Sequence, residues 1–561
     1  MTISRTKKRT RRQKLASVLA VLVILGLAAG VFAWYQVFRE VPQPPSITGD
    51  PRENFLYGSI GAEAEAGIPY WLVVVLPRVF PEHLPGPGGY ASLGLPWEEG
   101  RELPIGFSKK TVGFERVGFN CALCHATRYR TRENETPTFV AAGGSHTADV
   151  QGLLEFFGKA AADPRFDRDV LIAEIDLAYP LPFVERMLYK YALIPIVRER
   201  LLEQASDFRW VADRPAWGPG RDAPMNLTKF NFLRMPVDDS VDNADFPSIW
   251  HLTVRKGRPD MKLNLDGATP VARSVLIDSA LGLGATNTPW FHERMADLEA
   301  WLTELPPPAW PESLPVDAAR AARGEVVFGV HCASCHATDR PGNRMGTVIP
   351  IAEIGTDRER MDAWTKAAAD AANAKVAELG IERDGMEKHE GYVALPLEGA
   401  WLKGPYLHNG SVPTLRALLE PPEARPAAFY RGYDLLDPAG VGFAHRRCAE
   451  PARMPGAAAG GEPPAESGAV EDGGAVAGDG EEPGGEPEPA VPPSARGACA
   501  AVVAAPGEPC VPAFVRDGEL RVPDGWCLDT RERGNGNGGH LFGTDLPAED
   551  KDSLVEYLKT L

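Results

Sequence analysis

The chain has no surplus of positive charge to offer a polyanion. Its 561 residues carry a formal net charge of −17, which argues against nucleic acid as a partner. Much of that acidity sits in one low-complexity stretch, so it does not describe the whole surface. Large apolar side chains are almost missing from 454–497. Such a segment cannot bury a core, and it reads as a disordered acidic insert. Acidic residues are absent before Glu40, and no charge of either sign interrupts 15–35. Cysteine is a modest eight. Four lie in two short motifs, and Cys448, Cys499, Cys510 and Cys527 fall in the last quarter. In an oxidising compartment those four suggest two disulfides, with three possible pairings. Cys448 and Cys499 stand at the base of the insert.

The N-terminus gives the compartment. Arg5, Lys7, Lys8, Arg9, Arg11, Arg12 and Lys14 precede the apolar run. About 20 apolar residues span a bilayer, whereas the core of a cleavable signal is shorter. The charge placement puts the N-terminus in the cytoplasm and exports the body. The favoured reading is an uncleaved anchor; a cut after Ala33 is the alternative. Arg11-Arg12 is too weak to mark a twin-arginine signal. The expected location is the bacterial cytoplasmic (inner) membrane, with one span and the bulk in the periplasm. A second apolar run, 68–76, is too short to cross a bilayer and reads as a core segment or an interfacial patch.

The two motifs are Cys121-Ala122-Leu123-Cys124-His125 and Cys332-Ala333-Ser334-Cys335-His336. Cys-x-x-Cys-His is the spacing of covalent c-type haem attachment. Two thiols three positions apart form thioethers to the vinyl groups on one porphyrin edge, and the adjacent imidazole ligates the iron. Zinc or thiol-redox chemistry would explain one such match more easily than two. The expected cofactors are therefore two covalently bound haem c groups, with His125 and His336 as proximal iron ligands.

The organisation follows from these marks. Residues 1–14 form a cytoplasmic basic segment, 15–37 a transmembrane anchor, and 38–104 a tether and N-terminal extension. A first haem c domain covers 105–306 and a second 316–561, the latter holding the insert. The fold class is mainly α: two cytochrome c-like haem domains with long loops and an N-terminal transmembrane anchor. Residues 171–204 show helical spacing broken at Pro180, Pro182 and Pro195. Residues 316–330 and 548–561 read as two helices that cross, Gly324 permitting the approach and Phe328 packing on Tyr557 or Leu558.

What stands opposite each proximal histidine decides function. Two strong-field protein ligands make an electron-transfer haem, and an open face makes a haem that binds peroxide or dioxygen. For the second haem the candidates are Met345, Met361, Met386, His389, His408 and His540. His540 leads, because it sits in the Gly-rich loop 535–543, where backbone can approach a flat porphyrin. His408 is next. Met345 is too close to His336 in sequence. For the first haem no residue has a persuasive context: His146 reads as a surface or turn residue, and Met187, Met225 and Met235 as core. Trp250 lies between the two motifs, where an aromatic could relay electrons, although a core tryptophan explains it equally well.

Residues 392–415, with Trp401-Leu-Lys-Gly-Pro405-Tyr-Leu-His408-Asn-Gly-Ser411-Val-Pro-Thr-Leu415 at their centre, resemble a segment of the bacterial dihaem cytochrome c peroxidases and the MauG-type proteins. The fuller His-Asn-Gly-Ser-Val-Pro-Thr-Leu, and Gly539-His540-Leu-Phe-Gly-Thr-Asp-Leu, look most like the dihaem rubber-oxygenase branch. The resemblance covers most of 105–561 outside the insert. It implies bis-histidine ligation of the second haem by His336 and His540, a structural or proton-handling role for His408, and a bridging position near Trp250. In that branch the first haem lacks a protein sixth ligand, and aromatics line its pocket. Here 261–266 shows only aliphatics in the region where such an aromatic is expected, which departs from polyisoprene cleavage.

The expected function is an exported, membrane-anchored dihaem oxidoreductase. The open N-terminal haem would act on peroxide or dioxygen, with the C-terminal haem relaying electrons and Trp250 and His408 as candidate catalytic residues. The alternatives are a non-catalytic electron carrier with both haems six-coordinate, and a rubber-oxygenase-like dioxygenase of an unsaturated substrate. Expected partners are a redox protein such as a small cytochrome, a small oxidant or organic substrate, and the membrane through the N-terminal helix.

Overall fold

A computed structural model describes residues 10–37, 39–256, 258–338, 342–445 and 526–561. The insert at 454–497 and Cys448, Cys499 and Cys510 lie outside the described residues. Cys527 is disulfide-bonded.

The principal elements run in chain order. An apolar helix α1 (Arg11–Val37) leads through β1 (Glu40–Val41) to α2 (Pro51–Tyr57). Then come β2 (Ile68–Pro69), α3 (Tyr70–Val79) and the hairpin β3 (Phe107–Val112) and β4 (Phe114–Phe119). The first motif follows, then β5 (Ala126–Tyr129), β6 (Thr138–Ala141), α4 (Val150–Ala162), α5 (Arg168–Ala178), α6 (Phe183–Leu188) and α7 (Ile194–Asp207). After β7 (Arg221–Asp222) and β8 (Ala244–Asp245) come α8 (Ala272–Gly282), α9 (Pro289–Glu304) and α10 (Ala318–His331), which runs into the second motif. The rest is β9 (Val348–Pro350), α11 (Lys366–Glu378), β10 (Gly391–Val393), β11 (Ala428–Arg431), β12 (Trp526–Asp529) and α12 (Ala548–Leu558).

The fold is mixed rather than mainly α, with 45% of it helical and 11% strand. The two longest strands stand just before the first motif. Phe107, Thr111, Val112, Phe114, Val117 and Phe119 favour strand, and Gly113 at φ 76° closes the turn between them. The hairpin sits inside a four-stranded sheet of order β1-β3-β4-β2. A helix precedes the second motif, but a β-hairpin precedes the first.

Around the second motif the expected crossing is present. A Cβ on Gly324 would stand 1.9 Å from the Ser553 carbonyl oxygen, so only glycine lets α10 meet α12. Phe328 and Tyr557 pack with ring centroids 5.3 Å apart. Pro180 and Pro182 separate α5 from α6 as their sequence implies. Pro195 does not break its helix. It lies in the first turn of α7, just after a π turn (Tyr189–Leu193), where its missing N–H costs little. The apolar run near 70 is the buried helix α3.

One core cluster joins Ala122 of the first motif and Ala126 just after it to Ala333 of the second motif and Ala337 just after it, with Trp250, Trp401 and Phe328 among them. A second cluster fills the space between α3, α4, α5 and the hairpin. The two motifs therefore face a shared interior.

Candidate haem-binding site

The first motif begins in a short 3-10 turn (Cys121–Leu123) held from outside. Asn120 accepts the Ala122 N–H at 2.9 Å and donates through Nδ2 to the Gly58 carbonyl at 2.9 Å. Gly106, at φ 91°, lets its backbone pass beside Leu123, where a Cβ would stand 2.4 Å from that residue's Cα. His125 Nδ1 lies 2.9 Å from the Pro247 carbonyl oxygen. A carbonyl only accepts, so the proton belongs on Nδ1, and Nε2 is left with a free lone pair. The second motif repeats the device, with His336 Nδ1 donating to the Leu395 carbonyl at 2.7 Å. Burial lowers the pKa of both histidines, which keeps the imidazoles neutral. None of the four motif cysteines is fully exposed, and burial pushes the Cys332 thiol up to about 11.

His540 faces His336. Their ring centroids are 6.3 Å apart with 45° between the planes. Two metal–nitrogen bonds of about 2 Å, plus the distance from each nitrogen to its ring centre, place the imidazoles of a bis-histidine site roughly 6.3 Å apart. The residues therefore fit an iron held between them. His540 Nδ1 is buried without a hydrogen-bond partner. Burial, followed by the proximity of His336, lowers its pKa to about 4.

His540 reaches this place by backbone strain and close packing. Its own φ is 46°, and its N–H donates to the Ile354 carbonyl at 2.7 Å. Gly539, at φ 74°, abuts Gly355 so closely that a Cβ would stand 2.3 Å from that carbonyl carbon. The block around His408 holds this loop. Asn409 Nδ2 donates to the Gly534 and Gly536 carbonyls at 3.1 and 3.0 Å, and Ser411 Oγ donates to Gly536 at 3.0 Å. Arg425 donates to the Gly539 carbonyl at 2.9 Å.

His408 itself stacks on Tyr392, with centroids 4.1 Å apart and planes 15° apart. The Tyr392 hydroxyl donates to the Asp357 carbonyl at 3.0 Å and accepts a hydrogen bond from His408 Nε2 at 3.2 Å. Burial, reinforced by Arg360, lowers the His408 pKa to about 3.

Trp250 is 5% exposed and stands between the two motif frames. Its Nε1 donates to the Glu398 carbonyl at 3.4 Å. Glu398 lies three residues from Leu395, the partner of His336, and Trp250 three residues from Pro247, the partner of His125. The indole thus ties together the segments that orient both motif histidines. Gly143 and Gly399 leave room for it, since a Cβ at either would come within 3.0–3.1 Å of the ring.

His146 is no surface residue. It is 3% exposed, its Nδ1 is 2.8 Å from Thr127 Oγ1, and its ring stacks on Phe443. Its small-residue surroundings suggested a turn, but they are what allows tight packing. Met261 packs on Gly346, and Lys262 N–H donates to the Gly346 carbonyl, so this segment lies beside the chain following the second motif.

A buried polar cluster escaped sequence reasoning. Arg360 Nη1 lies 3.5 Å from Asp266, while its Nε and Nη1 lack hydrogen bonds. Burial, with Asp242 next, raises Asp222 to about 7, and burial raises Asp242 to about 6. Asp222 in turn helps raise the Cys124 thiol, after burial itself. Nothing in the spacing of these acids marks them.

The family model described as RoxA-like, cytochrome c-like matches residues 391–430, the segment holding Tyr392, His408, Asn409, Ser411 and Arg425. Two proteins of Sinorhizobium fredii (strain NBRC 101917 / NGR234) are also similar. The uncharacterized protein y4iM is 35% identical over 168 residues, 26% of this chain and 37% of that protein. The uncharacterized protein y4iJ is 28% identical over 200 residues, 26% of this chain and 34% of that protein. The matched region is thus about a third of the length of these curated relatives. A cytochrome c-like domain is present, which implies covalently bound haem c. The match supports a RoxA-like, cytochrome c-like domain at residues 391–430.

Proposed function

We propose that the chain is an exported, membrane-anchored dihaem c-type cytochrome acting as an oxidoreductase. Cys121, Cys124 and His125 would hold a haem with an open face. Cys332, Cys335, His336 and His540 would hold a six-coordinate one. The observation that carries the reading is the asymmetry between the motif histidines. His336 is faced by a second imidazole at 6.3 Å, whereas among the described residues no second imidazole ring contacts that of His125. When bound, haem iron supplies one-electron chemistry and, where a coordination position is free, binding of a small oxidant.

The chain's own residues orient and insulate. Pro247 and Leu395 fix the two tautomers, Asn409 and Ser411 hold the His540 loop, and Trp250 joins the two frames through Glu398. On this reading the second site relays electrons and the first is reactive, with peroxide or dioxygen as oxidant and a small periplasmic cytochrome as redox partner. The N-terminal apolar helix would be the single inner-membrane span. His408, neutral and bonded to Tyr392, is a positioning residue rather than an iron ligand.

Electron paramagnetic resonance of the oxidised protein tests this. A high-spin ferric signal beside a low-spin one is expected. Two low-spin signals and no high-spin one would refute the open face and favour an electron carrier. The match at 391–430 favours a second reading, addition of dioxygen to an unsaturated organic substrate. Product formation under air without peroxide would select it, and turnover of peroxide with a reduced cytochrome would select the first.

A further inference from the structure

The anchor leaves the body very little freedom, and an unpartnered apolar surface lies beside its exit. α1 contains a candidate membrane span, Arg11–Phe32, of 22 residues, none of it buried, whose uncharged run begins after Lys14. At 1.5 Å per residue it is about 33 Å long, which matches the hydrocarbon core of a bilayer. Only Phe38 and Arg39 separate α1 from β1. Val37 and Glu40 are thus at most roughly 11 Å apart. β1 is built into the sheet. Glu40 pairs with Val112, and the Arg39 carbonyl accepts the Gly113 N–H at 2.8 Å. A chain so short cannot let the body stand off from the membrane.

The sheet leads directly to the apolar surface. Val112 pairs with Phe114, so Phe114 is about 10 Å from Glu40 across two strand spacings. The Phe114 ring meets Tyr189, at 6.4 Å between centroids. Tyr189 is buried between α6 and α7. Around it, Leu177 is 76% exposed, Phe183 75%, Tyr191 60% and Ile196 53%, with Val184 at 43%. All five fall within residues 177–196, the stretch that flanks Tyr189, and large exposed apolar side chains gathered in one stretch mark an interaction site. Trp290, 42% exposed, lies near the exit, with Lys110 Nζ 4.6 Å above its ring and 2.9 Å from Glu40. Tryptophan and tyrosine favour the head-group level of a bilayer.

We infer that the face formed by the end of α5, α6 and the start of α7 is a second membrane contact, seated in the head-group region of the bilayer that α1 enters. The inference rests on the anchored reading above. The contact is apolar rather than electrostatic. Acids and bases are interspersed over 168–207, and several are paired, as in Lys190 with Asp169 and Arg186 with Asp176. Such a face enters the interface by buried apolar area and gains little from anionic lipid. It would hold the body in one orientation, so that the same side always faces the periplasmic space.

The test uses the full chain in phosphatidylcholine nanodiscs, nitroxide-labelled singly at Leu25→Cys, Phe183→Cys or Val326→Cys. Collision with dissolved oxygen reports lipid, and collision with a water-soluble nickel chelate reports solvent. Val326, exposed on α10, is the aqueous reference. Position 25 should be oxygen-rich and nickel-poor, and position 183 should show an oxygen-to-nickel ratio several-fold above that of position 326. Tyr191→Cys repeats the reading on a second residue. If 183 and 191 match 326 while 25 stays in lipid, the anchor stands and the inference falls. If 25 is open to nickel, the anchored reading fails and the inference falls with it.

Discussion

Replacing Gly539 by alanine tests whether the loop carrying His540 is held by backbone packing rather than by the histidine alone. Two costs can be worked from the structure. Gly539 has φ 74°, and a residue with a Cβ loses about 1–2 kcal/mol in that region. The new Cβ would also stand 2.3 Å from the Gly355 carbonyl carbon and 2.3 Å from the Thr356 nitrogen. Ordinary contact needs about 3.5–4.0 Å, so one backbone must retreat by more than an ångström. The bond from His540 N–H to Ile354, now 2.7 Å, would stretch and give up about 1 kcal/mol more. The strain and the weakened bond alone come to roughly 2–3 kcal/mol against the present loop position, before any cost of the steric retreat.

A shift of that size opens the 6.3 Å separation of the His336 and His540 rings beyond what one iron can bridge. Gly539→Ala should therefore convert the low-spin ferric signal to high-spin in a protein that still carries its haem, with a lowered melting temperature. His540→Ala should give the same spectral change with a smaller loss of stability, because it leaves the Gly539–Gly355 approach intact. A Gly539→Ala protein with an unchanged low-spin signal and an unchanged melting temperature would refute the reasoning. It would mean that the loop has room the structure denies it.

Gly324→Ala should be destabilising by about 2–3 kcal/mol in denaturant unfolding, against the roughly 1 kcal/mol gain that alanine brings to a free helix. A net gain would show that α10 and α12 do not touch at Ser553. Trp250→Phe keeps the burial but removes the indole N–H that reaches Glu398. It should cost about 1 kcal/mol, alter the spectral signals of both sites together, and slow re-equilibration of electrons after photoreduction of one site; an unaltered rate would dismiss the bridging role. Asp242 has its carboxyl raised by burial to about 6, above its unfolded value of about 3.9. The folded state therefore holds that proton longer, and stability should fall as pH rises from about 4 to 6, by roughly 3 kcal/mol from this group. Asp242→Asn should remove that part of the slope in denaturation midpoints compared at pH 4 and 7, and a variant that keeps the full slope would show the carboxyl ionised in the fold.

Legibility in this chain follows how local the physics is. The two Cys-x-x-Cys-His motifs are contiguous, and their chemistry depends on that spacing. The crossing of α10 and α12 was also readable, because Gly324 and Phe328 lie on one helical face and Tyr557 on another. His540 stood out only because glycines surround it. The grip on its loop was not readable: Asn409 and Ser411 lie 125 residues or more from the carbonyls they hold. The β3–β4 hairpin was missed because its polar positions mask a short alternation, and His146 because small neighbours suit a turn and a tight interior equally well.

The least readable groups are also the ones on which the chemistry most depends. A neutral imidazole presents Nε2 to a metal only if something fixes the proton on Nδ1. In both motifs that something is a main-chain carbonyl, from Pro247 and from Leu395. Every residue has a carbonyl, so no side-chain pattern can mark these two. Their positions are set by the segments around Trp250 and Glu398, and the indole bond between those segments makes the two histidine frames depend on each other. A perturbation at Trp250 should therefore reach both motifs at once, which no reading of either motif alone would anticipate.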